Sequence, residues 1–298
     1  MPPVDKMSPV HSRRKTRPMP VNSVNTNVGA MIALQNLNKT NTDLQTTQNR
    51  INTGLKVASA KDNGATWAIA QNQRSAVSSL DAVKDSLSRA SSVVDVASSA
   101  GESISDMLTQ LKEKALAASD TSLDSTSRKA LNADFKSIVS QISKTIQNSS
   151  FNGINLLDGS KTSITALAND KGTSVMTVAA QNMSLSTTGA GTIITLSLGA
   201  ELSSATHAGS LLTTLDTSIS NVSSALANLG TASKSLENHA DFVGKLQDSI
   251  TAGIGNLVDA DLAKESAQLQ ALQTKQQLGI QALSIANQST STVLSLFR

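Results

Sequence analysis

The chain has no cysteine and no tyrosine, and only one tryptophan and four phenylalanines among its 298 residues. The lack of cysteine excludes disulfides, thiolate metal sites and a thiol nucleophile. It is also what an unfolded export route or an exposed extracellular structure tolerates. With aromatics so scarce, burial rests on Ala, Leu, Val and Ile, which suits thin helix-on-helix packing better than a deep cavity. Charge is sparse as well, at 16% of residues, and the formal net charge of +3 is misleading. Lys6, Arg13, Arg14, Lys15 and Arg17 against Asp5 put +4 on residues 1–18, which leaves −1 on the rest. A near-neutral body argues against nucleic acid as a partner. No apolar run approaches the roughly 20 residues of a membrane span, and no apolar stretch follows the basic tail as a secretory signal requires. Membrane insertion is therefore not expected.

Chemistry-bearing residues are equally thin. The histidines are His11, His207 and His239, none with a second ligand three or four positions away, so neither a metal site nor a base is indicated. Asp259 and Asp261 stand just before Leu262 and read as cap and first-turn residues rather than as an acid–base pair. Gly29, Gly253 and Gly279 do not cluster between a strand and a helix, so no phosphate loop is present. No catalytic, cofactor or metal residues are predicted, and the chain does not read as an enzyme.

What the chain has in quantity is heptad spacing. From Leu215 an apolar residue recurs every seven positions through Val222, Leu229, Leu236, Val243, Ile250 and Leu257, with Leu212, Ile219 and Leu226 three positions ahead. A break is expected at Gly253 and Gly255. A new register then runs through Leu262, Leu269, Gln276, Leu283, Thr290 and Phe297, with Leu272, Gly279, Ala286 and Val293 interleaved, and reaches Leu296-Phe297-Arg298. Near the other end, Ala30, Leu37, Leu44 and Ile51 form one row and Leu34, Asn41, Gln48 and Leu55 a half-polar second. Each terminal seam is too polar to stand alone, and heptad seams need partners.

Between the ends, Gly54 and the loop-like Ser59–Gly64 interrupt the first helix. Helix is predicted from Ala65 with a break near Gly101, and again along Leu131, Phe135, Ile138, Ile142 and Ile146. Phe151-Asn152-Gly153 marks a tight turn. Ser163–Ala168 and Thr173–Ala179 flank Asn169–Gly172 as a β-hairpin, and Thr192–Leu198 is a further predicted strand. The fold expected is mainly α: a long antiparallel helical rod with coiled-coil-like N- and C-terminal helices and a small β-hairpin insert. Its long C-terminal helix, about 40 residues from Gly209, would span about 60 Å. The two interruptions lie at matching distances from the ends if Met19 is taken as the start, which pairs one terminal helix with the other.

Several motifs resemble bacterial flagellin. Asn25–Asn27 with Leu34-Gln35-Asn36-Leu37-Asn38-Lys39 resembles that family's opening, and Ile51–Lys56 followed by Ser59–Ala65 and Ala68–Ala70 is similar to its hinge. Phe151–Gly153 matches the turn opening its β region. Ala282–Gln288 and Val293–Arg298 resemble its C-terminal signature, and the phrasing is that of the short alphaproteobacterial branch. The resemblance covers 19–157 and 209–298.

The resemblance implies a structural subunit, exported unfolded through the flagellar type III pathway, that self-assembles into the flagellar filament for swimming. The alternative is a hook–filament junction protein or another secreted coiled-coil assembly protein. Residues 19–55 and 257–298 would form the inner, lumen-lining helices, 56–157 and 206–256 the outer helical rod, and 158–205 a short variable β-rich insert. Residues 1–18 precede the family's usual start at Met19; they read as disordered, and the resemblance implies a mis-assigned start with Met19 as the initiator, a true extension being the alternative. Assembly contacts would fall on Leu34, Leu37, Leu44, Ile51, Leu262, Leu269, Leu272, Leu283, Val293, Leu296 and Phe297. The hinge would lie at Gly54, Asp62, Asn63, Gly64, Gly253 and Gly255. Partners implied are further copies of the chain, the filament cap, the junction proteins and an export chaperone. The terminal helices are expected to order on assembly. Gln110 and Lys114 stand where receptor-stimulating family members carry Arg and Leu, which implies weak innate-receptor recognition.

Overall fold

The computed structural model describes the backbone of residues 26–186 and 192–295, and side chains within that span up to residue 288. Residues 1–18, Leu296 and Phe297 lie outside the described residues, as does the side chain of Val293, and with them the expectations for these positions. The order of elements is α1 (Val28–Thr53), α2 (Gly64–Ser119), α3 (Ser125–Asn148), β1 (Ser150–Phe151), β2 (Ile154–Asn155), β3 (Ser163–Leu167), β4 (Val175–Ala179), α4 (Ala205–Val258) and α5 (Leu262–Ser295). The chain is mainly α, and it divides into two compact units, residues 1–67 with 257–298 and residues 68–256.

The larger unit is built on an antiparallel pairing of α2 with α4. Four pairs trace it: Asp81 with Gln247, Asp95 with Ser233, Gly101 with Leu226, and Lys112 with Asp216. Down the middle, Leu87, Val94, Ile104, Leu108 and Leu111 of α2 face Leu215, Val222, Leu229 and Leu236 of α4, all of them buried. Helix α3 closes the other side with Phe135, Val139, Ile142 and Ile146. Asp124 starts α3 by accepting from the backbone N–H groups of Thr126 and Ser127 at 2.7 and 2.8 Å, as a capping side chain does. The Leu215 row is thus the spine of this core. Its companion row differs from expectation: Leu211, Ser218 and Ala225 are the buried set, while Leu212, Ile219 and Leu226 are half-buried flanks.

The break expected at Gly101 is absent, since α2 runs through it without interruption. A Cβ built on Gly101 would lie 2.7 Å from Leu226 Cδ2, so the glycine serves close helix approach rather than chain reversal. Asn152 and Gly153, with φ of 50° and 76°, make the tight turn between β1 and β2. Strands β3 and β4 form the expected second hairpin, with Ala166 and Val178 buried and Leu167 and Val175 facing out.

Thr192–Leu198 is not a strand. Its alternation is real, because Ile194 and Leu196 are fully buried, but its backbone groups are shared between the preceding loop and α4. Ile193 N–H donates to the Asn182 carbonyl at 2.9 Å and Leu198 N–H to the Ser186 carbonyl at 3.0 Å. Thr195 N–H donates to Ser218 Oγ at 3.1 Å, and Asn221 Nδ2 donates to the Ile193 carbonyl at 3.1 Å. Two backbone bonds to the loop, five residues apart, make no continuous ladder, and the α4 side chains supply the partners between them.

Candidate assembly interface

In the smaller unit, α1 and α5 lie antiparallel. Asn27 Nδ2 donates to the Ala286 carbonyl at 2.7 Å, Gln276 Nε2 donates to Asn41 Oδ1 at 2.8 Å, and Arg50 Nη1 donates to Glu265 Oε1 at 3.1 Å. Each step back along α1 is matched by a step forward along α5, so one register runs the length of the pair. On α5 the inward residues are Glu265, Leu269, Leu272, Gln276, Gly279, Leu283 and Ala286, which is the alternating three–four spacing of a coiled-coil seam. Leu272 is buried, and Leu269 and Leu283 are half-buried. Leu262, at 50% exposure, lies outside the seam.

On α1 the structure keeps one expected row and only part of the other. Leu37, Leu44 and Ile51 are half-buried in the seam with Ala30. Their companions are Ala33, Thr40, Thr47 and Gly54, three positions on; of the expected second row, Asn41 and Leu55 are half-buried beside them, while Leu34 and Gln48 are not. Leu34 is 48% exposed and Gln48 is exposed. Leu34 and Leu55 make the second row look apolar, while the buried companions are hidden because two of them, Thr40 and Thr47, are threonines. Thr47 is the most buried residue of α1, at 1% exposure. The strongest missed signals are Arg50 and Glu265, opposite charges in matching positions of two seams. Glu265 is 7% exposed, and its Oε2 has no hydrogen-bond partner.

Between the helices the expected hinge residues fall into two groups. Gly54, with φ 70° and ψ 5°, ends α1 in the left-handed conformation that glycine adopts without penalty. Its carbonyl accepts from Ala260 N–H at 2.9 Å, Leu55 bridges antiparallel to Asp259, and Lys56 and Val57 N–H both reach the Val258 carbonyl, at 2.7 and 3.2 Å. These bonds clasp the end of α1 to the start of α5. Asp62 Oδ2 gathers the Ala58 and Ser59 N–H groups and the Ser59 hydroxyl, at 3.1, 2.9 and 3.1 Å. The Ser59 backbone bond is the largest cause holding the Asp62 carboxyl below its ordinary value. Asn63 caps α2 through Thr66 N–H at 3.1 Å, with Gly64 as the first helical residue, and Asp261 caps α5 through Ala263 and Lys264 N–H at 3.0 and 3.1 Å.

Gly253 and Gly255 form no interruption. Helix α4 passes through both and ends only at Val258. Each glycine costs about 1 kcal/mol in a helix, but Ile254 and Val258 beside them are 8% and 1% exposed, and a buried aliphatic side chain is worth about 1.5–3 kcal/mol. Burial outweighs propensity. The remaining candidates have plain roles: His239 Nε2 lies 2.8 Å from the Ala168 carbonyl, and His207 Nδ1 lies 2.9 Å from Ser203 Oγ. Among the described residues no cluster of three or more acidic or histidine side chains could hold a metal, and no helix is long and apolar enough to cross a membrane.

Comparison with known proteins places this geometry. The bacterial flagellin N-terminal helical region matches residues 24–162 and the C-terminal helical region matches 212–297. The chain is 58% identical over 280 residues to flagellin FljK of Caulobacter vibrioides, covering 94% of this chain and 100% of that one. The chain belongs to the bacterial flagellin family. A flagellin of Brucella melitensis is 39% identical over 282 residues, with 93% and 99% of the two chains covered. A solved Vibrio parahaemolyticus structure, a candidate flagellar hook-associated protein, shares the fold at TM-score 0.53 and 16% identity, over 66% of this chain and all of that one. The protein is thus a structural subunit of the bacterial flagellar filament, polymerising with other flagellin subunits, and nothing favours the junction-protein alternative. The two matched regions hold α1, α2, α3 and the first hairpin, and most of α4 with α5. The β3–β4 hairpin falls between them.

Proposed function

We propose that the α1–α5 pair is the element through which copies join, with Leu37, Leu44, Ile51, Leu269, Leu272 and Leu283 holding the pair and its outer surface meeting neighbouring subunits. The carrying observation is the apolar surface left outside the seam. Met31, Ile32 and Leu34 on α1 and Leu278, Ile280 and Ile285 on α5 are 48–68% exposed. An isolated exposed leucine means little, but this many on two short helix segments marks a contact surface. The seam beneath is thin, so much of the burial that stabilises α1 and α5 would come from neighbours. Residues 19–55 and 257–298 would then be the inner helices, 56–157 and 206–256 the outer rod, and 158–205 the surface insert. Gly54 and Asp62–Gly64 would mark where inner and outer parts articulate.

The same reading takes the chain out of the cell unfolded, a route to which the absence of cysteine is suited. An export chaperone, the filament cap and the junction proteins would be its partners on the way. Gln110 and Lys114, the latter bound to Asp134 at 3.0 Å, would make a poor innate-receptor surface. The test is the double variant Leu278→Asp/Ile285→Asp. Both side chains are exposed, so the soluble chain should keep its circular dichroism and unfolding midpoint while elongation from filament seeds is lost. Normal filaments from this variant would refute the proposal.

A further inference from the structure

The seam between α1 and α5 is poor in apolar residues but rich in matched polar ones, and the match is between unlike partners. Arg50 meets Glu265, Asn41 meets Gln276, and the Leu37 side chain fills the space beside Gly279, where an added Cβ would stand 3.2 Å from Leu37 Cδ1. In every case one member sits on α1 and the other on α5. We propose that these pairs are a recognition code that selects the chain's own opposite end as partner, in one register, over the other pairings open to amphipathic helices in a polymerising protein. This rests on the reading that the α1–α5 pair serves assembly.

The alternatives show why. Apolar heptads recur along both helices, so they favour a pairing shifted by seven residues almost as well as the observed one. The polar residues do not. A one-heptad shift carries Asn41 from Gln276 to Leu269 or Leu283, and Arg50 from Glu265 to Val258 or Leu272. It also sets Gly279 against Ala30 or Leu44. Each shift buries an unpartnered amide and an unpaired charge, the costliest contents for a seam. Like-with-like pairing fares no better: two parallel copies of α1 oppose Arg50 to Arg50, and two of α5 oppose Glu265 to Glu265. The backbone clasp at Leu55 and Asp259 holds one end of the pair. At ~1.5 Å per residue, Asn41 lies ~20 Å along α1 from that clasp, where side chains alone must set the match. Specificity of this kind comes from penalising wrong partners as much as from rewarding the right one.

The experiment uses the full chain, which has no native cysteine. A Cβ built on Gly29 stands 4.0 Å from Ala286 Cβ, within the separation a disulfide spans. The variant Gly29→Cys/Ala286→Cys, oxidised in solution before seeding, should therefore close within one chain. Adding Asn41→Leu/Gln276→Leu should raise the ratio of between-chain to within-chain disulfides by about tenfold on a non-reducing gel. An unchanged ratio overturns the code. This readout needs no filament, so a failure of the assembly proposal does not touch it. Independently, Arg50→Glu and Glu265→Arg should each lower the within-chain yield, and the double exchange Arg50→Glu/Glu265→Arg should restore it. A double variant no better than the singles also overturns the code.

Discussion

Gly101 gives the sharpest test of the helix packing, because two opposing effects of known size meet there. Replacing an interior helical glycine by alanine ordinarily stabilises by about 1 kcal/mol. At Gly101 the new methyl would stand 2.7 Å from Leu226 Cδ2 and 3.6 Å from Met183 Cε, the first roughly 1 Å inside a comfortable carbon–carbon separation. Overpacking costs about 1–3 kcal/mol. Leu226 is only partly buried and offers its free end, so the lower half of that range applies. Gly101→Ala should then be neutral to about 1 kcal/mol destabilising. Gly230 is the control: it lies within α4, is exposed, and has no atom within 4 Å of an added Cβ. Gly230→Ala should gain about 1 kcal/mol. Gly101→Val, with two more carbons against the same wall, should lose about 3 kcal/mol. Urea unfolding followed by far-ultraviolet circular dichroism separates the three, and midpoints in thermal unfolding should move by about 2–4 °C per kcal/mol in a unit of this size. If Gly101→Ala stabilises as much as Gly230→Ala, the close approach of α2 and α4 is wrong.

Gly54→Ala should loosen the clasp by about 1 kcal/mol, since the position needs φ of 70°, and hydrogen exchange at Lys56, Val57 and Ala260 should report it. In the soluble chain the amides of α1 and α5 should exchange well before those of Leu87–Leu111 and Leu215–Leu236, because a seam holding Thr47, Asn41 and Gln276 protects less than a continuous apolar core. Uniform protection would contradict this. The Asp124 carboxyl is held below its ordinary 3.8, first by the Ser127 backbone bond and then by the Ser127 hydroxyl and Thr126. Its folded value is depressed, so its contribution is present above 3.8 and is lost as pH falls through the folded value. Asp124→Asn, which still caps a helix, should flatten the acid limb of a stability–pH profile, and an unchanged limb would refute the assignment.

Much of this protein was legible in its residues. Period-seven rows located the helices because a buried stripe imposes its spacing wherever it occurs. Asn152-Gly153 and Asn169–Gly172 located the hairpins because few residues adopt positive φ. Family membership was carried by the phrases around Ser59–Ala65 and the C-terminal residues. The composition, rich in Ala, Leu, Val and Ile and poor in aromatics, pointed to helix-on-helix packing.

What tertiary structure decided was the role of residues whose chemistry reads two ways. Glycine signals a break or a close approach. At Gly101 and Gly253 the helix continues, because neighbouring burial exceeds the cost of one flexible residue, whereas Gly54 ends its helix in the left-handed region. Threonine signals surface or seam, and Thr47 is in the seam only because α5 lies over it. Ile194 and Leu196 alternate as a strand does, yet the backbone around them is bound at Thr195 and Ile193 by Ser218 and Asn221 of α4, and at Ile193 and Leu198 by the loop carbonyls of Asn182 and Ser186, with no continuous strand ladder. Asn41, Gln276, Arg50 and Glu265 looked like gaps or surface charge along one helix at a time. They became partners once the two ends of the chain were laid side by side, because a polar residue in a seam is judged by what stands opposite it.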